Sequence, residues 1–358
     1  ETFSLLKQKF TSKIKNRYFR TMIFIRKLLF PFSLLYRCIM SIRNFLYDKG
    51  VFKSYSFNVP IIVVGNLSVG GTGKTPQTEY LIKLLSKEFK VAVLSRGYRR
   101  KTKGYILANS SSTADTIGDE PFQIFQKFPQ IDLAVDSDRR NGIENLIKQN
   151  KPDVIILDDA FQHRRVKAGF YILLTAFDDL YYNDLVLPAG NLRESKKGAE
   201  RADVIIVTKC PNNLSDIAQN NIKKKIGINR PIYFSKIGYA DSVTGREGEI
   251  STIEIKKTEK LLLAGIAKPK PFFEYLQTGK DVEMKFKDHH HFTDEEIERI
   301  QTLANNKIIV TTEKDYVRLK DKEINKLYYL PMESKFVLKG DDFDNQILNY
   351  VRKSTRNS

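Results

Sequence analysis

Cysteine is scarce in this sequence: Cys38 and Cys210 are the only two in 358 residues, and they lie in unrelated contexts. That excludes a disulfide framework and fits a reducing compartment. Acidic residues are also in short supply, 42 against 60 Lys plus Arg, for a formal net charge of +18. Such an excess calls for an anionic partner or surface without naming one. No recognised nucleic-acid-binding motif accompanies the charge, so nucleic acid is not the expected partner. Internal repeats and low-complexity segments are absent. The composition is otherwise globular, 41% hydrophobic and 28% charged, and the length accommodates two domains of ordinary size.

A long uninterrupted apolar run is missing too. The nearest approach is "TMIFIRKLLFPFSLLYRCIM", residues 21–40, broken by Arg26, Lys27 and Arg37, with Pro31 expected to bend it. A spanning helix needs about 20 mostly apolar residues, and basic residues near its middle are costly. No small-residue cleavage site follows, which argues against a secretory signal. Residues 1–55 carry twelve Lys or Arg against Glu1 and Asp48, a net +10. A basic amphipathic segment lying in a membrane interface, residues 1–57, fits this pattern best. Helices packed on the protein body, with solvated basic residues, are the alternative.

What the sequence does have is "IIVVGNLSVGGTGKTP", residues 61–76. An apolar β-branched run, a glycine-rich loop ending in Gly-Lys-Thr, and a segment with Tyr80, Leu81, Leu84 and Leu85 at helical spacing make a P-loop. Ser68 stands where the first glycine is usual. Val69 and Thr72 complete the loop, and Gly70, Gly71 and Gly73 let its N–H groups turn onto phosphate oxygens. Lys74 would reach the β- and γ-phosphates and Thr75 would ligate magnesium at a favourable helix N-terminus. An ordinary glycine-rich turn is the competing reading, and the agreement of strand, loop, Lys-Thr and helix speaks against it.

Strands are expected at 60–65, 91–95, 131–136, 153–158, 169–175 and 202–208, and helices at 75–89, 120–128 and 138–150. Continuous apolar strands alternating with helices predict a doubly wound parallel sheet, the P-loop NTPase type of α/β fold. We expect a kinase-type domain over 58–229. A smaller Rossmann-like α/β domain with a connecting hairpin is expected over 230–345 and a tail over 346–358, of which "RKSTRNS", residues 352–358, is expected to fray. Thr293 and Glu296 form a capping box ahead of a helix in the second domain.

Several other stretches offer chemistry. "DVIILDDAFQHR" ends a strand in Asp158 and Asp159, where a magnesium ion beside a P-loop must be held. Asp159 as a helix cap is the plain alternative, and His163 either orients a phosphate or packs. In "LPAGNLRES", Arg193 is placed to neutralise a transferring phosphoryl group and Glu194 to complete magnesium coordination. Solvated charges are the competing reading. Asp119 in "IGDEPF" reads first as an N-cap. "DHHHF" suggests zinc weakly, since three adjacent histidines do not share one face. "SRGYRR" places Arg96, Tyr98, Arg99 and Arg100 after the second strand, either as a phosphate or sugar site or as a solvated turn.

Guanine recognition would need an aspartate where "VTKCPNN" has Pro211, so ATP is favoured. A membrane-bound ATPase of the partitioning or metallochaperone type is the rival. Its P-loop carries a lysine just before Gly-Gly, where this chain has Val69.

Taken in order, "VVGNLSVGGTGKTP", "SRGYRR", "GDEP", "LDDAFQHR", "LPAGNLRE", "DHHHF" and "TEKD" resemble the tetraacyldisaccharide 4'-kinases, the lipid A 4'-kinases, over residues 60 to 318. Ser68 matches that family's own P-loop. The resemblance implies a kinase that uses ATP and Mg2+. Its acceptor would be the 4'-hydroxyl of a lipid A disaccharide 1-phosphate, at the cytoplasmic face of the inner membrane, where the enzyme is peripheral or monotopic on an anionic surface. No obligatory protein partner is expected. The resemblance further implies that Asp119 and His289 act together at the acceptor hydroxyl. From the residues themselves, Lys74 and Arg193 are expected to be catalytic, and Arg96, Tyr98, Arg99 and His163 are candidates for the substrate.

Overall fold

A computed structural model describes residues 26, 28–288 and 290–356. Two compact units emerge, and each draws on separated stretches of chain: residues 1–74, 157–235 and 337–358 in one, 75–156 and 236–336 in the other.

In the first unit the strand Ile61–Asn66 runs parallel to Phe170–Ala176, with Ile62 opposite Phe170. Phe170–Ala176 in turn pairs with Val204–Thr208, and that strand with Ile232–Tyr239, again in parallel. Every residue of Ile61–Asn66 and Val204–Thr208 is buried. This is why these stretches read as unbroken apolar runs instead of alternating ones. The helix Gly340–Arg356 belongs to this unit, with Phe343, Ile347 and Val351 fully buried on one face. The Tyr350 hydroxyl exchanges hydrogen bonds with the backbone of Ile61, 3.2 Å each. The tail expected from residue 346, and its fraying from residue 352, are therefore corrected as far as Arg356, because that apolar stripe at helical spacing anchors the segment.

The helix Phe30–Asp48 also lies in this unit. Pro31 occupies its first turn and does not bend it, a position where the missing N–H would have had no intrahelical partner. Of the twelve basic residues expected to charge the N-terminal segment, those before Arg26, and Lys27, lie outside the described residues. Among the described residues, no helix is long and apolar enough to cross a membrane.

The second unit carries the parallel pair Val91–Ser95 and Asp132–Val135, with Ile106–Leu107 antiparallel at its edge. It also holds a six-stranded sheet in the order Gly248–Ser251, Ser242–Gly245, Leu327–Leu330, Ile308–Thr312, Lys260–Ala264, Val282–Lys285. The first two strands form a hairpin, and the last four run parallel. Alternate residues face opposite sides. Leu262, Ala264 and Val310 pack with Phe272, Phe273 and Leu276 on one side. Leu261, Leu263 and Ile309 pack with Ile297, Ile300 and Leu319 on the other. A parallel sheet with helices on both faces is the arrangement expected of a small Rossmann-like element. The capping box forms as read: Thr293 accepts from the Glu296 N–H, and Glu296 returns a bond to the Thr293 N–H.

Candidate active site

The strand Ile61–Asn66 delivers the chain into the loop at Leu67, and the helix Lys74–Leu85 opens directly after Gly73. Gly70 and Gly73 have φ of +124° and +83°, a region that costs other residues strain and that lets the loop fold back on itself. Side chains from the end of Val204–Thr208 hold the loop's carbonyls. The Thr208 hydroxyl donates to the Thr72 carbonyl at 2.7 Å, and the Lys209 ammonium donates to that of Gly71. With these oxygens engaged, the loop keeps the curvature that a phosphate cradle requires.

"LPAGNLRES" is strapped along the stem of this loop. The Val69 N–H donates to the Asn191 carbonyl and the Arg193 N–H to the Leu67 carbonyl, 2.7 Å each, with a bridge between Ser68 and Leu192. Gly190 allows the strap to turn, since a Cβ there would lie 2.1 Å from the Leu185 carbonyl oxygen. The strap brings Arg193 onto Asp159, to whose two carboxylate oxygens its terminal nitrogens donate at 3.0 and 3.3 Å. The Lys74 ammonium stands 3.7 Å from the same carboxylate. P-loop lysine, strand-end carboxylate and loop arginine thus converge. Asp159 has φ of +47° and no helix follows it, which removes the capping alternative. Asp158 is the buried last residue of Val154–Asp158.

Glu194 does not fit the magnesium role expected of it. It is buried, and four N–H donors saturate its oxygens: two from Arg201 at 2.8 and 2.9 Å, Gln162 at 3.0 Å and Asn44 at 2.7 Å. A carboxylate so engaged anchors the strap. The sequence reading missed Asn44, Gln162, Arg201, Thr208 and Lys209 as supports of the site. Only Thr208 and Lys209 carried a signal, as the start of an incomplete base-recognition motif.

In the second unit the "SRGYRR" loop packs on the turn before Asp119. A Cβ on Gly118 would meet the Tyr98 carbonyl at 3.0 Å, and the Thr102 hydroxyl donates to the Thr116 carbonyl at 2.6 Å. Arg96, Tyr98 and Arg99 are exposed, with the Arg99 guanidinium 5.4 Å from the Tyr98 ring centroid. Arg100 turns inward onto the carbonyls of Val135 and Gly104. Asp119 is the first residue of the helix Asp119–Lys127, and Gly118 takes the cap position. The N-cap reading is therefore corrected: the Asp119 carboxylate accepts from Arg318 at 2.8 Å. His289 lies outside the described residues. His290 pairs with Glu296 at 2.7 Å and stacks on Phe286. Among the described residues no group of three or more His, Cys, Asp and Glu is placed to hold a metal, so the zinc reading has no support there. His163 is half-buried in the turn after Ala160.

The donor set suits a nucleotide with magnesium. The curved loop, Lys74 and Arg193 offer donors to phosphate oxygens. Asp158 and Asp159, at the end of their strand, offer hard oxygens of the kind that magnesium takes from a protein when phosphates supply the rest.

Comparisons with known proteins agree with this geometry. The family described as tetraacyldisaccharide-1-P 4'-kinase (LpxK) matches residues 25–352. A tetraacyldisaccharide 4'-kinase of Flavobacterium johnsoniae is 58% identical over 334 residues, 92% of this chain and 98% of that one. One from Bacteroides thetaiotaomicron is 44% identical, covering 93% and 95% of the two chains. Among solved structures, LpxK from Aquifex aeolicus in complex with ATP is similar with a TM-score of 0.76 and 32% identity, over 91% of this chain and 99% of that one. A chain matched over nearly its whole length by profile, sequence and structure belongs to the tetraacyldisaccharide 4'-kinase family.

Proposed function

We propose that this kinase of lipid A biosynthesis transfers the γ-phosphate of ATP to the 4'-hydroxyl of a tetraacyldisaccharide 1-phosphate, using the two groups of residues described above. The observation that carries the reading is the convergence of Lys74 and Arg193 on Asp159 at the phosphate loop. Lys74, Arg193 and the loop N–H groups hold the triphosphate and offset the charge that spreads over the transferring phosphoryl oxygens. Thr75, Asp158 and Asp159 would hold Mg2+, which when bound neutralises the β- and γ-phosphate oxygens. Asp119 takes the proton of the acceptor hydroxyl, with His289 as its partner on the strength of the family resemblance. Arg96, Tyr98, Arg99 and His163 bind the phosphorylated sugar. The segments this reading uses are 1–57 for the membrane, 58–229 for the nucleotide and 230–345 for the second α/β element.

The helix Phe30–Asp48 supports a place at the membrane surface. It is fastened to the first unit by polar groups: Ser33 to the Ala189 N–H, Tyr36 to the Arg193 carbonyl, Arg43 to the Gln162 carbonyl and Asn44 to Glu194. Its apolar residues point away, with Phe32 and Leu35 each 61% exposed and Leu28, Ile39 and Ile42 continuing the stripe. That inverts the usual polarity of a surface helix and matches one lying in a bilayer interface, with basic residues toward anionic headgroups. We infer that the chain sits peripherally on the cytoplasmic face of the inner membrane, where its acylated substrate resides.

Incubation with γ-labelled ATP and the lipid disaccharide in mixed micelles, against ATP alone, tests the reaction. Label in the lipid supports it. Lipid-stimulated release of free phosphate with unlabelled lipid favours a membrane-associated ATPase. For the acceptor site, kcat of Asp119→Ala, His289→Ala and the double variant should show non-additive losses, because residues acting as a unit fail together.

A further inference from the structure

The stretch "TEKDYVR", residues 312–318, has no part in the chemistry above, yet four of its side chains turn inward. It forms the helix Glu313–Leu319, capped by Thr312, whose hydroxyl accepts from the Asp315 N–H and donates to the Asp315 carboxylate at 2.7 Å. Asp315 is fully buried and also accepts from the Gly265 N–H at 2.8 Å. Three residues on, and so on the same face of the helix, the Arg318 guanidinium lies 3.9 Å from Asp315 and donates to Asp119 at 2.8 Å. At the other end of this helix, Glu313 meets Lys127 at 2.8 Å and Gln123 at 3.3 Å. Lys127 closes on Glu79 at 2.5 Å as well.

These pairs place the helices Asp119–Lys127 and Glu313–Leu319 antiparallel, joined at both ends. One join, Lys127 with Glu313 and Glu79, is buried and distant from Asp119 along the helix. The other is Asp119 itself. A carboxylate in the first turn of a helix has several staggered rotamers open to it. The Arg318 guanidinium, which lies 3.9 Å from the buried Asp315 carboxylate and donates to Asp119, selects among them.

We propose that Arg318 is a positioning residue for Asp119: it holds one carboxylate oxygen so that Asp119 meets the acceptor hydroxyl in a single orientation. The inference rests on the reading of Asp119 as the group that takes the hydroxyl proton. A small misplacement of a reacting group can cost about 100-fold in rate. The effect of losing Arg318 should therefore fall on turnover, not on nucleotide binding.

The experiment compares Arg318→Met, Arg318→Lys, Asp119→Asn and the double variant Asp119→Asn/Arg318→Met. It measures kcat, KM for ATP and for lipid, equilibrium affinity for a fluorescent ADP analogue, and thermal stability. Arg318→Met is expected to lower kcat by about 10- to 100-fold, with ADP-analogue affinity and both KM values within about twofold. Arg318→Lys, which keeps a donor, recovers part of the loss. In the Asp119→Asn background, Arg318→Met has no further effect, since it acts only through Asp119. Full turnover in Arg318→Met overturns the proposal. So does a loss that multiplies with that of Asp119→Asn, or one seated in the lipid KM, which would make Arg318 a substrate contact. Near-normal turnover in Asp119→Asn removes the underlying reading of the base, a result visible without any Arg318 variant. Should Arg318→Met fail to fold, the same cycle with Arg318→Lys decides.

Discussion

Arg193 and Asp159 meet fork to fork, two nitrogens on two oxygens at 3.0 and 3.3 Å, with the Lys74 ammonium 3.7 Å from the same carboxylate. Two cations thereby share one anion at the phosphate loop. Bidentate pairing fixes the plane of the guanidinium as well as its distance. In the proposed reaction this pairing would hold Arg193 ready for a phosphoryl group, through a residue that would also serve the metal.

Lys74→Ala should abolish transfer, by about 10²–10³-fold or more in kcat, without unfolding the chain, because Lys74 acts on ligand charge and not on the core. Thr75→Ala should do the same through the metal, with the loss partly relieved at high Mg2+. Steady-state kinetics together with circular dichroism checks both. Near-normal turnover of Lys74→Ala at saturating ATP would falsify the nucleotide assignment.

Glu194 is predicted to matter for stability, not for metal affinity. It is 1% exposed and paired with Arg201. Removing one partner of a buried pair costs about 3–5 kcal/mol because the other charge is left uncompensated. Urea unfolding of Glu194→Ala should show a loss of that order. A stable Glu194→Ala variant with weakened Mg2+ dependence would return the residue to the metal set.

The apolar stripe of the helix Phe30–Asp48 should govern attachment to lipid. Replacing Phe32, Leu35, Ile39 and Ile42 together with serine removes side chains that are exposed in the folded chain. Thermal stability should hold while binding to anionic vesicles falls. Each such side chain contributes up to about 1.5–3 kcal/mol when fully buried in an apolar phase. Wild-type binding should weaken with salt, since attraction between exposed charges is screened over about 10 Å at 0.1 M. Vesicle flotation reads all of this, and undiminished binding by the four-serine variant rules the stripe out as the anchor.

Burial raises the Glu79 carboxyl to about 7, with the Glu313 charge adding to the rise and Lys127 opposing it. A carboxyl raised in this way keeps its proton in the folded chain over a range where the unfolded chain has lost it. Its contribution to stability is complete below pH 4.5 and is lost as pH rises through about 7. Relative to Glu79→Gln, the wild type should lose stability across that window by up to about 1.4 kcal/mol per pH unit. Paired denaturation curves at several pH values measure it. A constant difference between the two proteins would mean that Glu79 is ionised throughout.

The phosphate side of the site was legible in the sequence because its parts are contiguous. Strand, loop, Lys74, Thr75 and helix follow one another without a break over residues 61–85, and local propensity and glycine conformation decide their geometry. Fold class followed for the same reason, since buried parallel strands announce themselves as short apolar runs. The strand Ile106–Leu107 and the helices Asp216–Ile226 and Gly340–Arg356 escaped the reading. Gly340–Arg356 has its apolar stripe diluted by charge, and tertiary contacts hold it: Phe343 on Tyr233, Tyr350 on Phe170 and on the Ile61 backbone.

What only the tertiary structure decided is the pairing of charges. Nothing in "NLRES" distinguishes Arg193, which reaches Asp159 34 positions away, from Glu194, which four donors withdraw into the interior. Nothing in "GDEP" shows that Asp119 answers to Arg318, 199 positions on. Periodicity reports which face of an element is buried, because burial repeats with the element. The partner of a charged side chain depends on which distant segments the fold lays beside it, and desolvation then makes that partner obligatory.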